Sequence, residues 1–261
     1  MPQPFSAAQI AQFIADGYLR LDHAFSPDIA ASARDILWRQ TGCDPDRPAS
    51  WTQSVVRLGH YTAGPFVAAA ATPSLHAAFD QLVGPGRWLP VGAMGTFPVR
   101  FPSAEDPGDG GWHIDVSFGT EDPDFMAWRA NVTSRGRALL MLFLFSDVGP
   151  DDAPTRIRVG SHHDIARRLA PAGEAGLTLR ELAANDFMES AHRPEAAATG
   201  PAGTVYLCHP FVVHAAQRHR GTRPRFMAQP PLLPRLPLDP FGPGPLAPVE
   251  QAIADAVAGA T

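Results

Sequence analysis

The spacing of apolar and polar positions divides the chain into two textures. Over residues 1–85 apolar positions recur at helical spacing, whereas from Trp88 onward short apolar runs are separated by Gly, Pro and Asp, the texture of a barrel or jelly roll of short strands. In the first part, Ser6 with Gln9 forms a capping box, Ile10, Phe13 and Ile14 make one stripe, and Asp16-Gly17-Tyr18 ends it, which predicts a helix. A short strand is expected over "YLRLDHAF". Ser26 as N-cap, Pro27 in the first turn and Gly42 past the end predict a second helix. A third is expected over Pro73–Val83.

Strands are predicted over "WLPVGAMGTFPVRF", "GWHIDVSF", "WRANVTS", "RALLMLFLFSD", "TRIRVG", "GTVYLCH", "AAQRHRG" and "PRFMAQPPL". Residues 163–195, helical in pattern, interrupt this series, and an insertion of that length commonly walls a binding site. The expected organisation is one domain over 1–261. Residues 1–85 are its helical support, 86–235 its strand core and 236–261 an extension ending in an Ala-rich helix.

Composition narrows the function classes. A 261-residue chain with 45% hydrophobic residues can bury one substantial core. A net charge of -5 and a pI near 6.0 give no general attraction to nucleic acid or an anionic membrane. The expected partner is a small-molecule substrate; oligomeric state is not legible. All 21 basic side chains are arginine, a bias that forbids reading function into arginine number alone. Cys43 and Cys208 are far apart, so neither a disulfide framework nor a zinc-thiolate site is expected, and a cytoplasmic location fits. The opening residues lack the basic start and apolar core of a signal peptide. The longest apolar run, "ALLMLFLF", is far below the roughly 20 residues needed to span a bilayer and reads as a strand buried on both faces.

The chemistry centres on "GGWHIDVSFG", residues 110–119. Residues two apart on a strand share a face, so His113 and Asp115 can hold one ion while Ile114 points to the opposite layer. Two imidazoles and a carboxylate on one face of an octahedron form the non-haem Fe(II) oxygenase site, which leaves three positions open. A second histidine is then required, and "GTVYLCHPFVVHAAQRHRGTRPRFMAQ" offers His209, His214 and His219.

The run from Gly203 to Gln229 resembles the closing strands of the phytanoyl-CoA dioxygenase family of Fe(II)/2-oxoglutarate oxygenases. There a strand entered through Gly leads to the distal ligand histidine, and an arginine follows eleven residues later; from His214 that count lands on Arg225. "FSAAQIAQFIADGYLRLDHAFS" resembles the family's N-terminal helix and strand, and "RVGSHHDIA" its Gly-Ser-His segment, with Val159 where the family usually has Pro. The likeness covers roughly residues 5 to 235.

The resemblance implies a mainly β fold: a double-stranded β-helix (jelly-roll, cupin-like barrel) with flanking N-terminal helices and a helical insertion. It implies Fe(II), 2-oxoglutarate and O2 as cofactors, with His113, Asp115 and His214 as metal ligands and catalytic centre. Arg225 is then the anchor of the co-substrate's distal carboxylate, which a guanidinium fork can grip through two parallel bonds. Arg223 shares the same strand face, and the family spacing selects Arg225. Many relatives carry a serine two residues after the distal histidine, where this chain has Ala216. Halogenating relatives replace the acid that Asp115 retains, so hydroxylation is expected. Thr96 and Asn131 are expected to contact 2-oxoglutarate. Trp112, Phe118 and Trp128 are expected to line the substrate pocket, with Arg100 and Arg129 able to meet an anionic substrate. His209 is assigned to the strand end and Cys208 to a small buried apolar role. The expected activity is hydroxylation of a small organic molecule in secondary or specialised metabolism. A cupin-like metal enzyme that does not use 2-oxoglutarate, or a non-catalytic binding protein of the same fold, also fits the residues.

Overall fold

A computed structural model describes residues 3–62 and 64–259; Met1, Pro2, Ala63, Ala260 and Thr261, which fall in the expected domain range, lie outside the described residues. Helix α1 (Ala7–Asp16) starts at the expected capping box, the Gln9 side chain accepting the Ser6 N–H at 2.9 Å. It stops at Gly17, whose φ of 84° and whose closeness to His162 leave no room for a side chain: a Cβ there would sit 2.5 Å from His162 Nδ1. Strand β1 (Tyr18–Leu21) follows, then α2 (Pro27–Thr41) capped by Ser26, β2 (Val55–Leu58), α3 (Gly64–Ala70) and α4 (Pro73–Val83), whose bounds match the expected helix.

The second half supplies β3 (Phe97–Arg100), β4 (Arg129–Ala130), β5 (Leu139–Leu144), β6 (Arg156–Arg158), α5 (Ser161–Leu169), β7 (Leu177–Thr178), α6 (Leu179–Ala183) and β8 (Glu195–Ala197). Strands β9 (Val205–Cys208), β10 (His214–Ala215), β11 (Met227–Ala228) and β12 (Pro231–Leu232) precede the C-terminal helix α7 (Pro248–Ala258).

The strands form antiparallel sheets. The larger runs β1-β9-β5-β11, with β12 also on β5. The β2-β3 pair is tied to it where Arg100 and Arg225 exchange backbone hydrogen bonds, at 3.1 and 2.8 Å, and where the Gln229 N–H donates to Thr96 O. The smaller sheet runs β10-β6-β8, and His113 adds to its edge by pairing with His214.

Alternation along β5 separates two cores. Leu139, Met141 and Phe143 face the helical layer with Phe13, Leu37, Phe79 and Ile253. Leu140, Leu142 and Leu144 face inward with Ile157, Tyr206, Cys208 and Met227. This explains the unbroken apolar run at 138–145: each side chain is buried on one face or the other, worth roughly 1.5–3 kcal/mol apiece for the large ones.

Three expectations need correction. The fold is mixed rather than mainly β, because more residues lie in α-helices than in strands. The long strands expected over 88–101 and 111–118 shrink to β3 and to isolated pairings at His113 and Phe118, since Pro90, Pro98 and Pro102 lack ladder donors and Gly110 and Gly111 weaken extended structure. The N-terminal third is also more than helical support: β1 is an outer strand of the larger sheet and β2 carries β3. The insertion begins at Ser161. Among the described residues no helix is long and apolar enough to cross a membrane.

Candidate metal centre

His113 and His214 are directly opposed across an antiparallel pair and exchange both backbone bonds, at 3.0 and 2.9 Å. Opposed residues put their side chains on one face, and the two rings lie 4.3 Å apart between centroids. His113 Nδ1 is 2.9 Å from Gly111 O, and His214 Nδ1 is 3.1 Å from Val212 O. Each carbonyl accepts from an Nδ1–H, so each Nε2 keeps its lone pair free. Asp115, two residues on, completes the group: its Oδ1 is 3.9 Å from His214 Nε2, and one ligand atom from each residue lies within 4.8 Å of the others.

The segment "RVGSHHDIA" sets this up from behind. Gly160 turns with φ 78°, Ser161 Oγ accepts the Val213 N–H at 2.8 Å, and Arg158 N donates to Val213 O at 3.0 Å. Val213 is thereby fixed and His214 is aimed inward. The Gly-Ser-His resemblance thus has a local cause.

The electrostatics favour ligands in their binding forms. Burial, reinforced by the neighbouring His113, pushes the His214 imidazole down to about 4, so it is neutral near pH 7. Burial works to raise the Asp115 carboxyl, but Arg137, 3.2 Å away, outweighs it with help from the two imidazoles and holds the group below the usual carboxylate range. Arg137 was not singled out by the sequence, where no spacing marks it.

A cavity of about 270 Å3 opens beside the triad, lined by His113, His214, Thr96, Arg100, Ala216 and Gln229, with Arg57 and Asp109 at its rim. Arg100 is no surface arginine: it is 2% exposed, donates to Asp109 Oδ2 at 2.7 Å, and leaves Nε and Nη1 without hydrogen-bond partners among the described residues. Arg57 donates to the same carboxylate oxygen at 2.7 Å. Arg225, 1% exposed, lies beside Arg100 on the neighbouring strand. Its two terminal nitrogens donate to Ala153 O and Pro98 O, and its Nε has no partner. Burial and the adjacent Arg100 push its guanidinium down to about 9. Thr96 stands on the cavity wall, as does Ala216.

The remaining candidates lie elsewhere. Asn131 does not line this cavity; its amide bonds Thr133 Oγ1 and Glu174 O and accepts the Arg135 N–H. Arg129 is spent on Ala175 O and Gly176 O, where it clamps the insertion. Trp112 takes the opposite face from His113, with Arg156 and Arg158 stacked 4.4 and 4.2 Å from its ring. Phe118 pairs in the backbone with Arg129 and lies under Arg135, and Trp128 donates to Asp122 O. Strand parity explains Trp112, and loop closure explains the others. Cys208 is buried facing the inner core, its thiol pushed up by burial and by Asp115. His209 faces outward to the helices, with Nε2 3.1 Å from Val249 O. His219 is buried 3.9 Å from Asp152. Arg57 and Asp109 escaped notice because β2 has no clear apolar alternation and Asp109 sits in a Gly-rich loop.

Comparison with known proteins gives the family and the fold. The phytanoyl-CoA dioxygenase (PhyH) family model matches residues 13–227. No curated protein sequence matches the chain. Among solved structures, EctD from S. alaskensis in its apo form superposes with a TM-score of 0.56 at 24% identity, covering 93% of this chain and 82% of that one. HygX from Streptomyces hygroscopicus with nickel and 2-oxoglutarate gives 0.54 at 19%, covering 86% of each chain. The non-heme alpha-ketoglutarate-dependent carbocyclase SnoK from nogalamycin biosynthesis gives 0.52 at 15%, covering 88% and 83%. EctD is also known with 2-oxoglutarate and 5-hydroxyectoine, and HygX with hygromycin B. These likenesses carry the jelly-roll fold; the family model carries the kinship. The chain belongs to the phytanoyl-CoA dioxygenase family and is a 2-oxoglutarate-dependent dioxygenase with iron as its metal.

Proposed function

We propose that the chain hydroxylates a C–H bond of a small organic molecule, with iron held by His113, Asp115 and His214. The observation that carries this is the convergence of one ligand atom each from His113, Asp115 and His214 within 4.8 Å of one another, with both imidazoles lining the adjoining cavity and their Nδ1 atoms held by backbone. Two imidazoles and one carboxylate fit Fe(II). Buried guanidinium nitrogens without partners, on Arg100 and Arg225, fit a dianionic co-substrate, because such donors are costly to leave unmet.

When bound, iron with 2-oxoglutarate and O2 supplies an oxidation that places one oxygen atom in the substrate C–H bond and the other in succinate, with release of CO2. The protein's part is placement. The Gly111 and Val212 carbonyls fix both rings, Arg137 keeps Asp115 ionised, and Arg225 orients the distal carboxylate of 2-oxoglutarate. The apolar inner core with Leu142, Tyr206 and Ile157 closes the barrel to water. Retention of Asp115 favours hydroxylation over halide transfer. The small molecules bound by EctD and HygX, and SnoK's place in nogalamycin biosynthesis, support a specialised-metabolism substrate. The unpaired Cys43 and Cys208 suit a reducing cytoplasm. The double-stranded β-helix is the finer reading of the two facing sheets.

A second assignment of the carboxylate anchor has a specific observation behind it: Arg100 lines the cavity, whereas the terminal nitrogens of Arg225 are engaged with backbone. Anaerobic titration of the Fe(II) protein with 2-oxoglutarate separates the two. Arg225→Gln is expected to weaken co-substrate binding about 10- to 100-fold, the scale of a charge-assisted hydrogen bond. Loss on Arg100→Gln alone would move the anchor to Arg100, and no loss in either variant would contradict the proposal.

A further inference from the structure

The cavity beside the triad continues outward. A second cavity of about 330 Å3 adjoins it, and Asp109 and Ala216 line both. On the dioxygenase reading above, the inner space of about 270 Å3 must hold 2-oxoglutarate as well as substrate. That volume is at or below the lower end of ordinary small-molecule sites. The inner space therefore suits the reacting end of a substrate, with the remainder reaching into the outer one.

The outer cavity is lined by Arg156, Arg218 and Arg220 with Asp106, Asp109 and Gln217. Arg156 is matched by Glu195, through bonds of 2.9 and 3.0 Å. The Asp109 carboxylate is already shared by Arg57 and Arg100. Asp106 accepts the Gly108 N–H of its own loop. Arg218 spends only its Nε, on Ser103 O at 3.0 Å, which steadies the stem and leaves both terminal nitrogens without a partner among the described residues. The Arg220 side chain has neither an ion pair nor a hydrogen bond among the described residues, its backbone N–H alone being held by Asp151 O. A chain with a net charge of -5 thus sets three guanidinium groups against two carboxylates along this cavity beside its metal site, an excess of positive charge. Cleft walls focus such a field, and guanidinium forks match the planar oxygens of carboxylate and phosphate.

We propose that the substrate carries a carboxylate or phosphate group, which Arg218 and Arg220 hold in the outer cavity while the carbon to be oxidised enters the inner one. This rests on the dioxygenase reading of the triad and adds a substrate class to it. A neutral molecule of equal size lacks the second point of attachment.

The test uses the full chain loaded with Ni(II) and 2-oxoglutarate, titrated calorimetrically with glucose 6-phosphate, gluconate and glucose. At least one anionic probe is expected to bind one per chain, more weakly as salt rises, with glucose binding far less; which anion binds tells phosphate from carboxylate. In the Arg218→Gln/Arg220→Gln double variant the anion's affinity should fall about tenfold or more, while that for 2-oxoglutarate stays within about twofold. Equal binding of glucose, unchanged anion affinity in the double variant, or anion binding only through displacement of 2-oxoglutarate would overturn the proposal. Failure of 2-oxoglutarate to bind the wild-type protein would instead strike the dioxygenase reading.

Discussion

Two groups of packed histidines stand on opposite sides of one layer, and only one is equipped to hold a metal. His113 and His214 lie 4.3 Å apart between ring centroids; His162 lies 4.0 Å from His163 and 4.8 Å from His209. Burial lowers the basicity of His214, to about 4, and of His209, to about 3, while His162 falls well below its ordinary value. Ring proximity and neutrality are therefore shared. The difference lies in what surrounds the rings. In the helical group, Nε2 of His162 meets Ile14 O while its buried Nδ1 has no partner among the described residues, and both nitrogens of His209 are taken, Nε2 by Val249 O and Nδ1 by the Phe211 N–H, with no carboxylate grouped with them. In the triad, both Nδ1 atoms are tied to backbone, both rings line a cavity, and the Asp115 carboxylate lies within ligand-sharing distance of them. A metal site needs spare lone pairs, an anion and room.

The comparison breaks most visibly at His214. His214→Ala is expected to weaken iron binding by more than about 100-fold, beyond the upper figure for merely disturbing a ligand's support, and to abolish 2-oxoglutarate turnover. Iron titration with a succinate assay checks this. Acid exposes the other group. The folded chain binds protons at His209 and His162 less readily than the unfolded chain, whose imidazoles titrate near 6.5. The burial of His209 thus contributes stability that is full above about pH 6.5 and falls toward pH 3 by about 1.4 kcal/mol per pH unit, and His162 adds a decline of the same sign. Urea midpoints across that range should show the decline, and a flatter decline in His209→Asn would tie it to this cluster.

Smaller effects sharpen the contrast. Arg137→Gln removes the counter-charge of Asp115 and should cost about 10- to 100-fold in iron affinity, with urea stability little changed. Gly17→Ala places a methyl against His162 and forces a φ of 84° on alanine. It should lower stability by about 1–3 kcal/mol and leave iron affinity alone. A weakened metal site in that variant would mean that the two groups are mechanically linked.

What the sequence makes legible follows from how local the physics is. Capping and stop signals at Ser6, Ser26, Gly17 and Gly42 are decided within a turn, and the helices they bound form as expected. His113 and Asp115 are legible because strand parity is local, and His214 because the family's spacing to Arg225 singles it out among three histidines. Long-range features are not legible. Nothing near Arg137 announces that it will meet Asp115, and nothing near Arg57 or Asp109 shows that they will share a charge with Arg100. Trp112 illustrates the limit of composition: an aromatic beside a ligand invites a pocket role, but the parity that turns His113 inward turns Trp112 outward onto Arg156 and Arg158. The strands around the site shortened for a related reason, since Pro and Gly near the triad trade ladder bonds for loops.

The central claim is that His113, Asp115 and His214 together hold iron in a form that accepts 2-oxoglutarate. Its most direct test is the visible metal-to-ligand charge-transfer band on anaerobic addition of Fe(II) and 2-oxoglutarate to the intact protein. The account predicts a band that saturates at one iron per chain and is lost in His214→Ala. Bound iron without a band in wild type, or a band that persists in His214→Ala at unchanged affinity, would contradict it.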